Sequence, residues 1–428
     1  MSTKADNLPS LRTFAPALVL LAICFLINYV DRGNLSVAAP LLKIELDLSP
    51  SQLGILFSVF FWTYTAMQFI MGWLVDHFDV NCILAAGFLV WSLATVTTGL
   101  VRGFVLLLAM RLILGIGESV ALPAGSKILA RHLPEHHRGF ASGALMSALR
   151  AGNAVGTFGG GFLMAKYGWR PVFIGIGLVS LLWLPAWAKW MPHNGLPTDS
   201  VKTSSNNGSR KPGPDFAAIL GQRSFWGTTV GHFSCNYLFY FMITWLPSYL
   251  VFGRHLTMSS MTRIAGLYYT VDAVSAMAAG WLQDFWIRRG YTPTLVRKTA
   301  MAIGLSGAAI AVMGCALASN HFVPWLMAAG LGCGITGPGL YAFCQRLAGP
   351  EAVGRWYGPQ NGFANLAGVI GPALTGLVVQ RTGNFLLPFE ITSALCVVGA
   401  VAWVFIVGRV EPVSWARRRD ECAVIQGC

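Results

Sequence analysis

Gly72-Trp73-Leu74-Val75-Asp76 and, 208 positions later, Gly280-Trp281-Leu282-Gln283-Asp284 are two copies of one short element in a chain of 428 residues. Each closes an apolar run, 52–75 and 262–283, of about the length that crosses a bilayer, roughly 20 residues as helix. The same element at the same point of two halves reads as an internal duplication. Parallel repeats of six spans around a central pathway are one known carrier architecture. Gly72 and Gly280 would let two helices approach, and Asp76 and Asp284 would accept bonds from a neighbouring helix end. These four are the expected gating residues.

Working outward, apolar windows predict twelve spans: 14–37, 52–75, 83–101, 104–129, 139–165, 171–191, 226–251, 262–283, 299–319, 322–345, 355–379 and 385–408. Composition agrees, with 55% hydrophobic and only 11% charged residues, more apolar surface than a soluble chain could hide. The net charge of +13 sits in short loops, which sets membrane orientation and excludes a nucleic-acid partner. With both ends cytoplasmic, twenty Lys and Arg fall on inside segments and seven outside, as positive-inside topology requires. Residues 192–222, containing Ser, Asn, Gly, Lys and Pro in SVKTSSNNGSRKPGPD, read as a flexible cytoplasmic linker. The expected organisation is therefore an all-α membrane protein: an N-terminal six-helix bundle (1–191), the linker, a C-terminal six-helix bundle (223–409) and a mobile cytoplasmic tail (410–428) whose Arg417-Arg418-Arg419 would meet lipid headgroups. The first apolar run has no cleavage site and leads into Asp31-Arg32, so it reads as a span and not a signal peptide.

Charges at the bilayer centre are expensive, about 2.5–3.5 kcal/mol each on insertion scales, and usually face a cavity and each other. Five candidates stand out: Asp31 and Arg32 in span 1, Arg111 and Glu118 in span 4, and Arg150 in span 5. By this reading all the mid-span charge belongs to the N-terminal half. Arg111 and Glu118, seven residues apart, lie two turns along one helix face. Asp31 and Arg32 are adjacent, so one can face a cavity while the other reaches a neighbouring helix. Carboxylates placed there can exchange protons, and guanidiniums bind anions in a two-pronged fork. The competing reading is a set of internal ion pairs that lock helices together. Tyr64 and Gln68, Asn153, Asn236, Tyr237, Tyr240, and Asn361 with Asn365 would add hydrogen bonds; amides and phenols at such depth bond to other helices about as often as to ligands.

Other features take plainer readings. The nine cysteines are scattered without a CxxC pair, so neither a disulfide framework nor a metal site is expected; most should be small buried residues. His132, His136 and His137 read as a solvated loop, and most of the 15 Trp as belts at span ends or on lipid faces. The glycine runs follow no strand and precede no Gly-Lys-Ser/Thr, which argues against ATP as driver. No nucleophile or metal constellation suggests an enzyme, and no cofactor is implied.

Several stretches resemble the major facilitator superfamily, and within it the anion:cation symporters such as bacterial hexuronate, galactonate, glucarate and phthalate permeases and sialin-type carriers. They are Asn28-Tyr29-Val30-Asp31-Arg32-Gly33-Asn34-Leu35-Ser36, Tyr64 with Gln68, Gly72, Leu74 and Asp76, Arg111 through Gly117-Glu118, Thr244-Trp245-Leu246-Pro247-Ser248-Tyr249-Leu250, the second repeat copy with Arg288-Arg289-Gly290, and the Asn361–Asn365 region. The resemblance implies alternating access and proton symport of a small organic anion by a monomer in a bacterial inner membrane. By matching positions, Asp31 and Glu118 would carry protons, and Arg32, Arg111 and Tyr64 would contact substrate; Asn153 and Asn365 would add amides. After Asp76, where relatives usually have Arg, then Gly and a basic residue, stand His77, Asp79 and Asn81, and Arg150 stands where relatives tend to have Asn. A third guanidinium would suit a dicarboxylate or larger polyacid. Export of an acidic metabolite or siderophore is the alternative direction, and a receptor that binds without flux is the alternative class.

Overall fold

The computed structural model describes residues 11–133, 135–191, 216–318, 320–413 and 415. Expectations for the rest of the linker, for Lys4, for Arg417-Arg418-Arg419 and for Cys422 and Cys428 lie outside the described residues. Every element among the described residues is helical: α1 Leu11–Glu45, α2 Pro50–His77, α3 Val80–Leu100, α4 Phe104–Glu118, α5 Ala121–His132, α6 Glu135–Val155, α7 Gly161–Tyr167, α8 Trp169–Leu181 and α9 Trp183–Trp190. There follow α10 Phe216–Leu220, α11 Arg223–Ser248, α12 Met258–Arg288 and α13 Pro293–Leu317. Phe322–Thr382 is broken at Gly349, whose φ of 67° is open to glycine. It is treated as α14 Phe322–Gly349 and α15 Ala352–Thr382, and α16 Leu386–Val401 ends the bundle.

Each expected span holds helix. Among the described residues eight stretches are long and apolar enough to cross a membrane, and nine if α2, bent by 42° between Gln68 and Ile70, is one span. The expected spans 139–165, 226–251 and 262–283 fall short of that apolarity for a local reason. The first two turn Ser147 and Arg150, and His232 and Asn236, toward a central cavity, and the third carries Asp272, Ser275 and Gln283 at buried positions; these polar groups lower the average. Helix ends are built as the sequence dictates. Ser49 and Gln52 form a reciprocal capping box ahead of Pro50, and Thr292 caps α13 ahead of Pro293. Wide π-turns at Gly156–Gly160 and Tyr249–Gly253 continue α6 and α11.

Contacts define two faces of the bundle. At the near face Lys127 meets Asp76, Lys298 donates to the Val404 carbonyl and Arg223 to that of Phe405. At the far face Arg170 pairs with Glu45, Arg254 donates to the Cys315 carbonyl and Ser51 N–H to Gln380 Oε1. Helices α1 and α6, α3 and α8, and α3 and α4 pack closely in the first group, as do α13 with α14 and α16, and α11 with α15, in the second. The two groups meet along α2–α15, α1–α11 and α6–α12. The far half of α2–α15 is tight. Ser58 Oγ donates to the Val369 carbonyl at 2.5 Å, and a Cβ on Gly54 would stand 3.1 Å from Gly376 Cα.

Two glycines seat α4. A Cβ at Gly115 would press on Tyr64 N at 3.1 Å, and one at Gly117 would meet Trp91 N at 2.8 Å and Gly87 O at 2.9 Å. α4 is thereby wedged between α2 and α3, which fixes the depth of Arg111 and Glu118. Gly117→Val should force these helices apart at a cost of about 1–3 kcal/mol, the usual price of overpacking. A melt of the purified protein checks this: a marked drop in midpoint is expected, and an unchanged midpoint would show that the crossing has slack.

Several sequence expectations are corrected. Trp91, Trp245, Trp356 and Trp403 are among the largest fully buried side chains, and Trp169, Trp183 and Trp187 are buried too; Trp62, Trp73, Trp190 and Trp281 are exposed as a belt would be. The buried indoles fill helix crossings, as Trp403 does against Gly231. His132 is buried, stacks on Phe14 at 5.5 Å and bonds to the Ile128 carbonyl at 3.0 Å, so it is a helix-end packing residue and not solvated. Part of the expected linker is the helix α10, with Ile219 buried. The first tail residues are also docked: Val413 N–H donates to the Leu347 carbonyl, Trp415 Nε1 to that of Ala348, and Val410 is buried. Of the seven described cysteines all but Cys82 are buried, as expected.

Candidate functional site

α1 delivers two charges in opposite directions. Asp31 points to α3, where Thr95 Oγ1 donates to its Oδ2 at 3.3 Å, and its Oδ1 has no partner. Arg32 points to α4, where its Nε donates to Glu118 Oε2 at 2.7 Å. The Arg32 guanidinium lies over Tyr64 at 4.3 Å, Tyr29 at 4.6 Å and Phe60 at 5.0 Å. Arg is suited to this: its planar cation stacks on rings while its edge stays free for a carboxylate. Arg111 is buried two turns from Glu118 along α4, with Nε unpartnered, and Glu118 Oε1 is likewise unpartnered. Asp31, Arg32, Arg111 and Glu118 thus form one buried, formally neutral cluster.

One cavity, smaller than the space of about 630 Å³ among Lys43, Trp245, Arg254 and Phe385 at the far face, lies beside this cluster and does not include it. Its volume is about 320 Å³. It is lined on one side by Tyr29, Tyr64, Gln68 and Arg150, and on the other by His232, Asn236, Tyr240 and Asn361. Gly143, Met277, Leu340 and Tyr357, toward the near ends of their helices, also border it, so it opens to the near face. Tyr29 and Tyr64 form the partition, with Arg32 stacked behind them. Arg32 and Arg111 border a second, smaller void on the far side of the partition, among Phe57, Phe60, Phe61 and Ile243. The expectation of one chamber shared by all four charges is therefore corrected: in this conformation the guanidiniums edge a small void, and Asp31 and Glu118 edge neither space.

The amides are placed as follows. Asn365 accepts from Tyr240 OH at 2.6 Å and donates to the Asn361 carbonyl; Asn361 donates to Gln68 Oε1 at 3.1 Å, joining α15 to α2. Asn153 is buried with both side-chain atoms unpartnered and faces Gly33 across α1–α6. Of the repeat residues, Asp76 is bound by Lys127, whose Nζ also donates to the Val75 carbonyl; the partner is a side chain and not a helix end. A Cβ at Gly72 would meet nothing within 4 Å, and at Gly280 it would make only an ordinary 3.5 Å contact with Pro338. Close helix approach therefore does not explain these glycines here. Asp284 lies near Arg297.

The largest omission from the sequence reading is Asp272 on α12. Arg150 Nη1 donates to its Oδ2 at 2.6 Å, across the α6–α12 seam. Mid-span charge is therefore not confined to the first half. The signal was in plain view, a carboxylate ten residues into span 262–283, but no repeat partner or basic neighbour drew attention to it. His232 was missed for a similar reason: it is buried, borders the cavity, and its Nδ1 faces Gln360 Nε2 at 3.3 Å.

Comparison with known proteins places this geometry. Helical folds alike over most of their length include a D-xylose–proton symporter, with a TM-score of 0.76 at 14% identity over 93% of this chain and 98% of that one. A bacterial homologue of the human lysosomal transporter Spinster, in an inward-facing and occupied conformation, gives 0.71 at 20% identity over 93% and 95%. Sequence relatives include the probable sulfoacetate transporter SauU of Cupriavidus necator, 32% identical over 90% of this chain and 92% of the relative. The hexuronate transporter of Bacillus subtilis is 28% identical over 93% and 95%, and the probable galactarate/D-glucarate transporter GarP of Escherichia coli 29% over 92% and 94%. They agree with the resemblance to anion:cation symporters, and the chain is a transporter and not an enzyme. The profile described as Major Facilitator Superfamily matches residues 21–319 and 266–421, and the chain belongs to that superfamily.

Proposed function

We propose that this protein carries a small organic anion together with protons by alternating access. In this reading two six-helix halves, 1–191 and 223–409, make twelve spans with both ends cytoplasmic in a bacterial inner membrane. The near face is then the cytoplasmic one, and the cavity that opens to it belongs to an inward-open state with the far half of α2–α15 closed.

The observation that carries the reading is the neutral buried cluster. Asp31 and Glu118 balance Arg32 and Arg111, and Arg32 and Arg111 edge a void between the two groups of helices. An anion arriving there adds a negative charge to a site where an unbalanced ion is strongly destabilising. One proton on Glu118 or Asp31 restores neutrality and frees the guanidinium edge for the anion's fork. Each has a carboxylate oxygen without a partner that can take that proton. Tyr64 and Tyr29 separate the cluster from the cytoplasmic cavity, so exchange with that side needs their movement.

Proteoliposomes test this. An imposed inward proton gradient should drive uptake of a labelled sugar acid such as glucuronate or glucarate, and a protonophore should abolish the accumulation. Accumulation that persists with the protonophore would sink the coupling.

A further inference from the structure

The Arg150–Asp272 pair has a setting of its own. Arg150 borders the open cavity with its side chain 20% exposed, whereas the Asp272 side chain is 3% exposed. The Nη2 end of the guanidinium abuts Gly337 of α14, where any side chain would occupy its space. Asp272 uses one oxygen for Arg150; its Oδ1 is buried without a partner. The titratable groups near it are Arg150 from α6, Cys333 from α14, and Tyr268 and Tyr269 from its own helix. One end of the pair is thus reachable by a solute and the other is not.

We propose that Asp272 is a displaceable counter-anion for Arg150, and that the carrier's substrates are dianions whose second acidic group takes its place. This rests on the proton-symport reading above and deepens it. Once Tyr29 and Tyr64 move aside, the substrate's first acidic group is held by the Arg32–Arg111 cluster and its second by Arg150. Left unpaired, a buried Asp272 carboxylate would be strongly destabilising, so it takes a proton from cavity water as the substrate group binds Arg150. Charge balances throughout: a neutral Arg150–Asp272 pair becomes a neutral Arg150–substrate pair beside a neutral acid. The second negative charge therefore brings a second proton. Since the pair ties α6 to α12, its exchange also releases one strap between the two groups of helices, and substrate binding and rocking become linked.

Calorimetry of purified protein in two buffers of different ionisation enthalpy counts protons taken up per bound ligand. The probes are glucarate and sulfoacetate as dianions, and glucuronate, which lacks glucarate's second carboxylate. Wild-type protein should take up one more proton with each dianion than with glucuronate. Asp272→Asn, checked as folded by a cooperative melt, should lose that extra proton, Asp272→Glu should keep it, and Arg150→Gln should lose the preference for dianions about tenfold or more. Equal proton counts for glucarate and glucuronate in wild-type protein would overturn the proposal whatever the variants do, as would an extra proton that survives in Asp272→Asn. A glucuronate signal with its single proton but no extra dianion proton overturns this inference alone. Absence of any proton uptake with any of the three overturns the symport reading as well.

Discussion

Glu118→Gln is expected to abolish proton-driven accumulation while leaving exchange of internal for external substrate intact. The amide keeps the size of the side chain and its oxygen toward Arg32 Nε, but it mimics the protonated acid permanently. A symporter fixed in that state can bind anion and rock with it, and can no longer return empty with a free carboxylate. With one proton per anion, an inward gradient of one pH unit supports about tenfold accumulation; the variant should stop at equal concentrations inside and out. Counterflow in the same vesicles provides the control. A variant that still concentrates substrate removes Glu118 from the coupling step.

Arg111→Lys is expected to lower affinity for anion about 10²-fold, or about 3 kcal/mol. Lysine keeps the charge that balances Asp31 and Glu118, so the fold should survive. What is lost is the rigid fork that matches a carboxylate with two parallel bonds. Arg111 edges the small void with Arg32, and its Nε has no partner within the protein. Arg32 is tied to Glu118 and stacked on three rings, so Arg111 is the freer cation of the two. Normal affinity in Arg111→Lys would place it outside the pocket. A loss seen equally in thermal stability would mark it as a strut between α1 and α4.

The fold was legible because the bilayer makes length and apolarity decisive. Each expected window holds helix, and the duplicated Gly-Trp-Leu element falls at the ends of α2 and α12. The cluster was legible for the same reason: Asp31, Arg32, Arg111 and Glu118 are too costly at span depth to be accidental, and helical spacing says which can meet. Other features depend on helices far apart in sequence. No pattern along α1 or α2 reveals that Tyr29 and Tyr64 stand between the charges and the cavity, since that follows from how α1, α2 and α4 cross. The Arg150–Asp272 pair joins positions 122 residues apart, and Arg150 by itself looked like a substrate ligand. Tryptophan burial escaped too, because an indole serves a lipid interface and a helix crossing equally well. The docking of Val410 and Trp415 was hidden by a basic tail whose composition reads as solvated.

The central claim is that anion and proton move together through one neutral cluster. Proteoliposomes holding a trapped pH dye, with no proton gradient imposed and the membrane potential clamped, test it directly. An inward gradient of transported acid should acidify the lumen as the labelled solute enters, and Glu118→Gln vesicles should show solute exchange without acidification. Solute entry by the wild-type protein with the lumen at constant pH would contradict the account.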